Sequence, residues 1–194
     1  MTRILLTAFE PYDRWKENSS WLALVDFTSW YEGELDITTR RYPVDLSKLK
    51  EMLESDLRED FDYAIHLGQA PGSPLIKLEA VGLNLRTNGE ILVSGGLMAY
   101  RTNVDLDGCL QRLISAGIPT QISHHAGTYL CNAALYLSQY FAELLGRRTQ
   151  SVFVHLPLAP RQVAGQESPF ASMSTPMQSA AIAVIAEHLA QSGS

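Results

Sequence analysis

A thiol and an imidazole stand in this chain where a nucleophile and its base would have to stand. Cys131 opens an amphipathic stretch, and His155 lies in the apolar run that follows it, 24 positions further on. Free amides at a helix start, the helix dipole and a nearby imidazolium all favour a thiolate over a thiol. The thiolate is the nucleophilic form. An imidazole beside it takes up the proton and returns it to a departing amine. A carboxylate is then needed to hold the imidazole in one tautomer. Glu79, in Leu78-Glu79-Ala80-Val81, is the candidate, because a carboxylate in an apolar stretch is costly unless it is partnered.

The same residues have plainer readings. A cysteine in a helix is often a small buried apolar side chain, and a histidine in an apolar strand is often a satisfied core residue. Glu79 could face solvent on an edge strand, with Lys77 on its own face. Cys109, among Leu106, Leu110 and Leu113, reads as core. His66 and His188 show no partner in the sequence. The pair His124-His125 lacks the spacing of a metal site, so no metal is expected. Ser94-Gly95-Gly96 is neither a phosphate loop nor a dinucleotide fingerprint, so no cofactor is expected either.

Elements that could bring these groups together are legible in the hydrophobic period. Residues 4–9, 63–67 and 151–156 are short apolar runs of the kind buried in parallel sheets. Residues 35–41 form a polar-rich strand stopped by Pro43, which suits a sheet edge. Residues 120–123 form a short strand. Residues 75–85 are extended, and 86–96 form a hairpin or an irregular loop. Helices are expected from Ser20 to Trp30 with Ser19 or Ser20 as cap, and after Asp45 with Leu46, Leu49, Met52, Leu53 and Leu57 on one stripe. Others are expected from about Asp105 to Gly117, over 131–145, and over 177–191 after a loop at 161–176. Strands alternating with helices imply an α/β chain, a three-layer α/β/α sandwich around a mostly parallel sheet. Such sheets carry ligands outside the carboxyl ends of their strands. A right-handed crossover from 120–123 to 151–156 would make those strands parallel neighbours, and would bring Cys131 and His155 to one edge.

Composition narrows the classes. The chain has 194 residues, 46% hydrophobic and 19% charged, as an ordinary globular domain has. One domain over 1–194 is expected. Fifteen Lys and Arg against 21 Asp and Glu leave −6, with no basic run, so neither nucleic acid nor an anionic membrane surface is an expected partner. Two cysteines are no disulfide framework. The first residues are too short an apolar run for a signal peptide, and no window approaches a membrane helix. A cytoplasmic enzyme or binding domain is the expectation.

The string Ala126-Gly127-Thr128-Tyr129-Leu130-Cys131-Asn132 resembles the nucleophile segment of the pyroglutamyl peptidase type I family, cysteine peptidases also called pyrrolidone-carboxylate peptidases. Three further segments match in order. Thr7-Ala8-Phe9-Glu10-Pro11-Tyr12 through Asn18-Ser19-Ser20 is similar to the N-terminal T-G-F-E-P-F…N-P-S. The segment from Gly68-Gln69-Ala70 to Glu79 is similar to G-x-A…E-R, and Phe153-Val154-His155-Leu156-Pro157 to F-x-H-x-P.

The resemblance implies a triad of Cys131 as nucleophile, His155 as base and acid, and Glu79 as orienting group. It implies cofactor-free removal of N-terminal pyroglutamate from small peptides, by a chain that forms homo-oligomers, tetramers or dimers. Trp15, Trp21 and Trp30 would suit such an interface, and could equally be core. It also implies that Phe9 and Tyr12 sandwich the lactam ring while Asn18 and Gln69 recognise its polar edge. Apolar ring faces suit aromatic contact, and the lactam N–H and C=O suit amide partners. Ala80 follows Glu79 where the family usually has arginine, and Asn84-Leu85-Arg86-Thr87-Asn88-Gly89 is shorter than the family's D-A-R-x-P-D-N-x-G stretch, with Arg86 the nearest stand-in for its functional arginine. Asp13-Arg14 replaces a glycine pair, Ser19 a proline, and Pro71 a glycine. At this level two alternatives stay open: an amidase of the same fold acting on another lactam or N-acyl group, and a binding protein without turnover.

Overall fold

An apolar strand needs cover on both faces, and β1 (Arg3–Phe9) has it: every residue from Ile4 onward is buried. Its even-numbered side chains Ile4, Leu6 and Ala8 join one core cluster, and Leu5 and Phe9 join another on the opposite face. In the computed structural model, which describes residues 1–192, β1 is one of six strands in a sheet. The others are β2 (Asp36–Tyr42), β3 (Tyr63–Gln69), β4 (Ile76–Glu79), β7 (Thr120–Ser123) and β8 (Gln150–Leu156). Their order is β2-β1-β3-β8-β4-β7. Positions 193–194 of the expected domain lie outside the described residues.

Helices α1 (Ser19–Trp30), α3 (Leu106–Ser115) and α6 (Thr175–Ser192) cover the even face of β1, and α2 (Leu46–Asp56) and α4 (Leu130–Leu144) cover the odd face. The architecture is α/β, with a mostly parallel sheet between helical layers. Strand β2 lies at the edge, as its polar sequence suggests.

Two expectations about the sheet are corrected. Strands β7 and β8 are not neighbours, because β4 lies between them. Strand β4 runs antiparallel to β8 and parallel to β7, so β7 and β8 run in opposite directions. The crossover rule governs parallel strands only, and here the chain reverses before β4. What brings Cys131 near His155 is the α4–β8 pair itself. A helix that returns into a strand places its own start beside that strand's end. The extended stretch 75–85 is also two strands rather than one: β4 in the main sheet, and β5 (Val81–Leu83) paired antiparallel with β6 (Ala99–Arg101). A four-residue helix, α5 (Pro160–Val163), interrupts the expected loop after β8.

The first helix is capped by Asn18, one residue earlier than expected. Its Oδ1 accepts from the Ser20 amide (3.0 Å) and the Ser20 hydroxyl (2.7 Å). Trp15 is buried against Phe170, with Arg14 over both rings, so it belongs to the core rather than to a surface. His66 and His188 do have partners, the Thr7 hydroxyl (2.8 Å) and Asp105 (3.0 Å).

Burial pushes the His66 imidazole down to about 3, so it is neutral in the folded chain near neutral pH. The sign follows from linkage. The unfolded chain binds this proton near pH 6.5 and the native chain does not, so stability is full above about pH 6.5 and is lost as pH falls toward 3. Between pH 6.5 and 5 this one group is expected to cost roughly 1.5–2 kcal/mol. Urea unfolding at both pH values, with wild type and His66→Gln, measures it. The variant should show a correspondingly shallower pH dependence.

Candidate active site

The recess that holds Cys131 is built from the ends of three parallel strands and the start of α4. Phe9 ends β1, Gly68 and Gln69 end β3, and His155 lies near the end of β8. With Tyr12, Asn18, Val44, Ala126, Tyr129 and Leu130 they line a cavity of about 200 Å³, below the size of a typical drug-sized cleft. Cys131 is partly exposed there. Gly68 must be glycine for a reason of space. A Cβ at that position would lie 2.5 Å from the Phe153 ring and 3.2 Å from the Cys131 sulfur.

His155 stands between the sulfur and an acid. Its Nδ1 is 2.7 Å from Oε1 of Glu79, which is 1% exposed. In the β4–β8 register Glu79 pairs with Phe153, so His155, two residues on, shares its face of the sheet. Burial alone would lower the imidazole. The charge of Cys131, a hydrogen bond with it, and Glu79 outweigh burial and lift His155 to about 9. For Glu79, burial would raise the carboxyl. The hydrogen bond from His155, the Ser123 side chain, and the charges of His155 and Lys77 hold it below its ordinary value instead. An imidazole held by a carboxylate beside a sulfur is the arrangement this geometry supplies. Cys109, by contrast, is buried, and burial pushes its thiol up to about 12.

The remaining expected residues divide. Phe9, Tyr12, Asn18 and Gln69 line the same recess as Cys131 and His155. The Tyr12 hydroxyl makes a long contact with the Gln69 carbonyl (3.4 Å), and burial followed by the charge of Cys131 pushes it up to about 12, so it stays a donor. Asn18 spends its oxygen on capping α1 and one Nδ2 hydrogen on the Glu10 carbonyl (3.0 Å). Asp13, in the same loop, has a left-handed backbone (φ 53°), the conformation a glycine adopts freely and Asp tolerates better than most.

Arg86 is not brought to this recess. It lines a neighbouring one with Thr87, Asn88 and Thr128, and is ion-paired with Glu90. The backbone between β5 and β6 is closed on itself: Asn84 Oδ1 accepts from the amides of Leu92 (2.8 Å) and Val93 (2.9 Å). That closure carries Arg86 away from the sulfur.

Asn132 is a residue that sequence reasoning passed over. It is fully buried directly after Cys131. Its Oδ1 accepts from the Leu83 amide (2.7 Å), and its Nδ2 donates to the carbonyls of Leu83 (2.8 Å) and Leu85 (2.9 Å). It therefore fastens β5 to the start of α4. Its place in the string around Cys131 was the only available signal. Tyr129, 54% exposed at the rim, lies in the same string.

A thiol and an imidazole lining one recess of an α/β sheet, with a buried carboxylate bonded to the imidazole, suit a cysteine hydrolase. The model of the pyroglutamyl peptidase family matches residues 2–192. The pyrrolidone-carboxylate peptidase of Clavibacter michiganensis is 32% identical over 186 residues, 89% of this chain and 86% of that protein. That of Pyrococcus furiosus is 33% identical over 173 residues, 83% of each. The crystal structure of pyrrolidone carboxyl peptidase from Fervidobacterium islandicum superposes with a TM-score of 0.91 at 32% identity, covering 98% of this chain and 99% of that one. The chain belongs to the pyroglutamyl peptidase family, and is a cysteine peptidase of that class. No helix among the described residues is long and apolar enough to cross a membrane.

Proposed function

We propose that this chain hydrolyses the amide bond that follows an N-terminal pyroglutamyl residue, and that Cys131, His155 and Glu79 carry the reaction. The observation behind this reading is the 2.7 Å His155–Glu79 contact beside a partly exposed Cys131 in one recess. The sulfur attacks the pyroglutamyl carbonyl carbon, a C–S bond forms, and the carbonyl oxygen takes up the negative charge. The first turn of α4 has no side-chain cap at Tyr129, which leaves its amides to that oxygen. His155 gives its proton to the departing amine as the C–N bond breaks. Water, deprotonated by His155, then cleaves the thioester and frees pyroglutamate.

The ring is placed by the residues at the strand ends. Phe9 and Tyr12 face its apolar surfaces, and the Gln69 amide donates to its carbonyl. Asn18 holds the loop and keeps one Nδ2 hydrogen for the ring edge. A site with a buried amide donor rejects a ring lacking the matching acceptor. Pyroglutamyl arylamide is therefore expected to be cleaved with kcat/KM at least about 10²-fold above prolyl arylamide. Equal rates, or faster cleavage of another lactam or N-acyl arylamide, would replace this reading with that of an amidase of different specificity.

A further inference from the structure

The orientation of the Gln69 amide is set by two donors. The backbone amide of Ser19 donates to its Oε1 (2.8 Å), and Nε2 of Gln162 donates to the same oxygen (2.7 Å). A backbone N–H cannot accept, so the oxygen must face Ser19 and the NH₂ must face away. The amide of Gln162 is assigned in the same way. Its Oε1 accepts from the Ala159 amide (2.8 Å), and Nε2 sends its other hydrogen to the Glu17 carbonyl (2.9 Å). Both side chains are buried. The series ends at Nε2 of Gln69, which is buried and has no hydrogen-bond partner among the described residues, on a side chain that lines the Cys131 recess. A buried donor left in that state is costly unless a ligand takes it up.

We propose that Gln162 is a positioning residue for substrate selection. By holding the oxygen of Gln69 away from the recess, it makes the recess favour a ring that carries a carbonyl acceptor over one that offers only N–H donors. Gln162 also joins three segments in one contact: the loop before α1 through Glu17, the end of β3 through Gln69, and the turn after β8 through Ala159. This inference rests on the pyroglutamyl reading above.

The test is a double-mutant cycle on pyroglutamyl arylamide with Gln162→Met, Gln69→Met and the pair. Gln162→Met should raise KM about ten-fold and leave kcat within about three-fold, because the effect falls on binding the ring. In the pair, Gln162→Met should add nothing to the effect of Gln69→Met. The rate of Cys131 alkylation should match wild type in every variant. If Gln162→Met fails to fold, Gln162→Glu keeps the shape and the bond from Ala159, and places an acceptor against Oε1 of Gln69. It should raise KM at least as far. An unchanged KM, or effects that add in the pair, overturns the proposal while leaving an active wild type as proposed above. A wild type inert on pyroglutamyl arylamide overturns both.

Discussion

Exchange of Cys131 for alanine is expected to lower kcat/KM on pyroglutamyl arylamide by about 10⁴-fold or more, because no other group in the recess can form the acyl-enzyme. The fold should be nearly unaffected. Cys131 is partly exposed, its helix continues for a further 13 residues, and alanine is the best helix former. Thermal unfolding should shift by little, while the activity assay loses its signal. The second cysteine supplies the contrast. Cys109, on the buried face of α3, is 1% exposed, and Cys109→Ala should cost about 1 kcal/mol in packing with activity retained. The thiols should also differ in reactivity near neutral pH. Iodoacetamide should modify Cys131 once and abolish turnover, whereas Cys109, pushed up to about 12 by burial, stays unmodified in the native protein. Retention of most activity by Cys131→Ala would remove the sulfur from the reaction.

Much of this arrangement is legible in the sequence, because its determinants are local. The apolar runs of β1, β3 and β8 have no polar face to offer water, so they had to be interior strands. The stripe of α2 and the Asp45 cap, whose Oδ1 accepts from the Lys48 amide at 2.9 Å, are equally local. Glu79 could be singled out because an acid among Leu78, Ala80 and Val81 needs a partner. The direction of β4 could not be read. Strand polarity depends on the path of residues 70–75, and nothing in Ala70-Pro71-Gly72-Ser73 fixes which way that loop turns. The meeting of Cys131 and His155 does not depend on which strand neighbours β8, because a helix returning into its own strand needs no help from β7. The place of Arg86 is not legible in the sequence for a similar reason. Its position depends on Asn84 closing a long loop through two backbone amides, a contact that spans eight or nine positions and leaves no periodic trace. Gln162 was illegible too, since its work lies in contacts 93 and 145 positions away.

Replacing Glu79 with glutamine should be the more instructive loss, because it keeps shape and removes only charge. The carboxylate can do nothing but accept from Nδ1–H, and this sets Nε2 toward the sulfur as the atom that exchanges the proton. Glutamine offers an NH₂ as readily as an oxygen. When the NH₂ faces His155, Nδ1 must accept, and the ring is held in the wrong tautomer. A fall of roughly 10²–10⁴-fold in kcat/KM is expected, with thermal stability far less affected than activity. The pH profile separates this from a packing defect. In wild type the imidazolium persists until about pH 9, so the alkaline limb should fall as pH rises through that value and the acid for the leaving amine is lost. Glu79 is one of the groups that lift His155 against burial. Without it the imidazole loses its proton at lower pH, and the alkaline limb should move in the acid direction. A variant with lower activity but an unmoved limb would mean that Glu79 shapes the recess without touching the proton on His155.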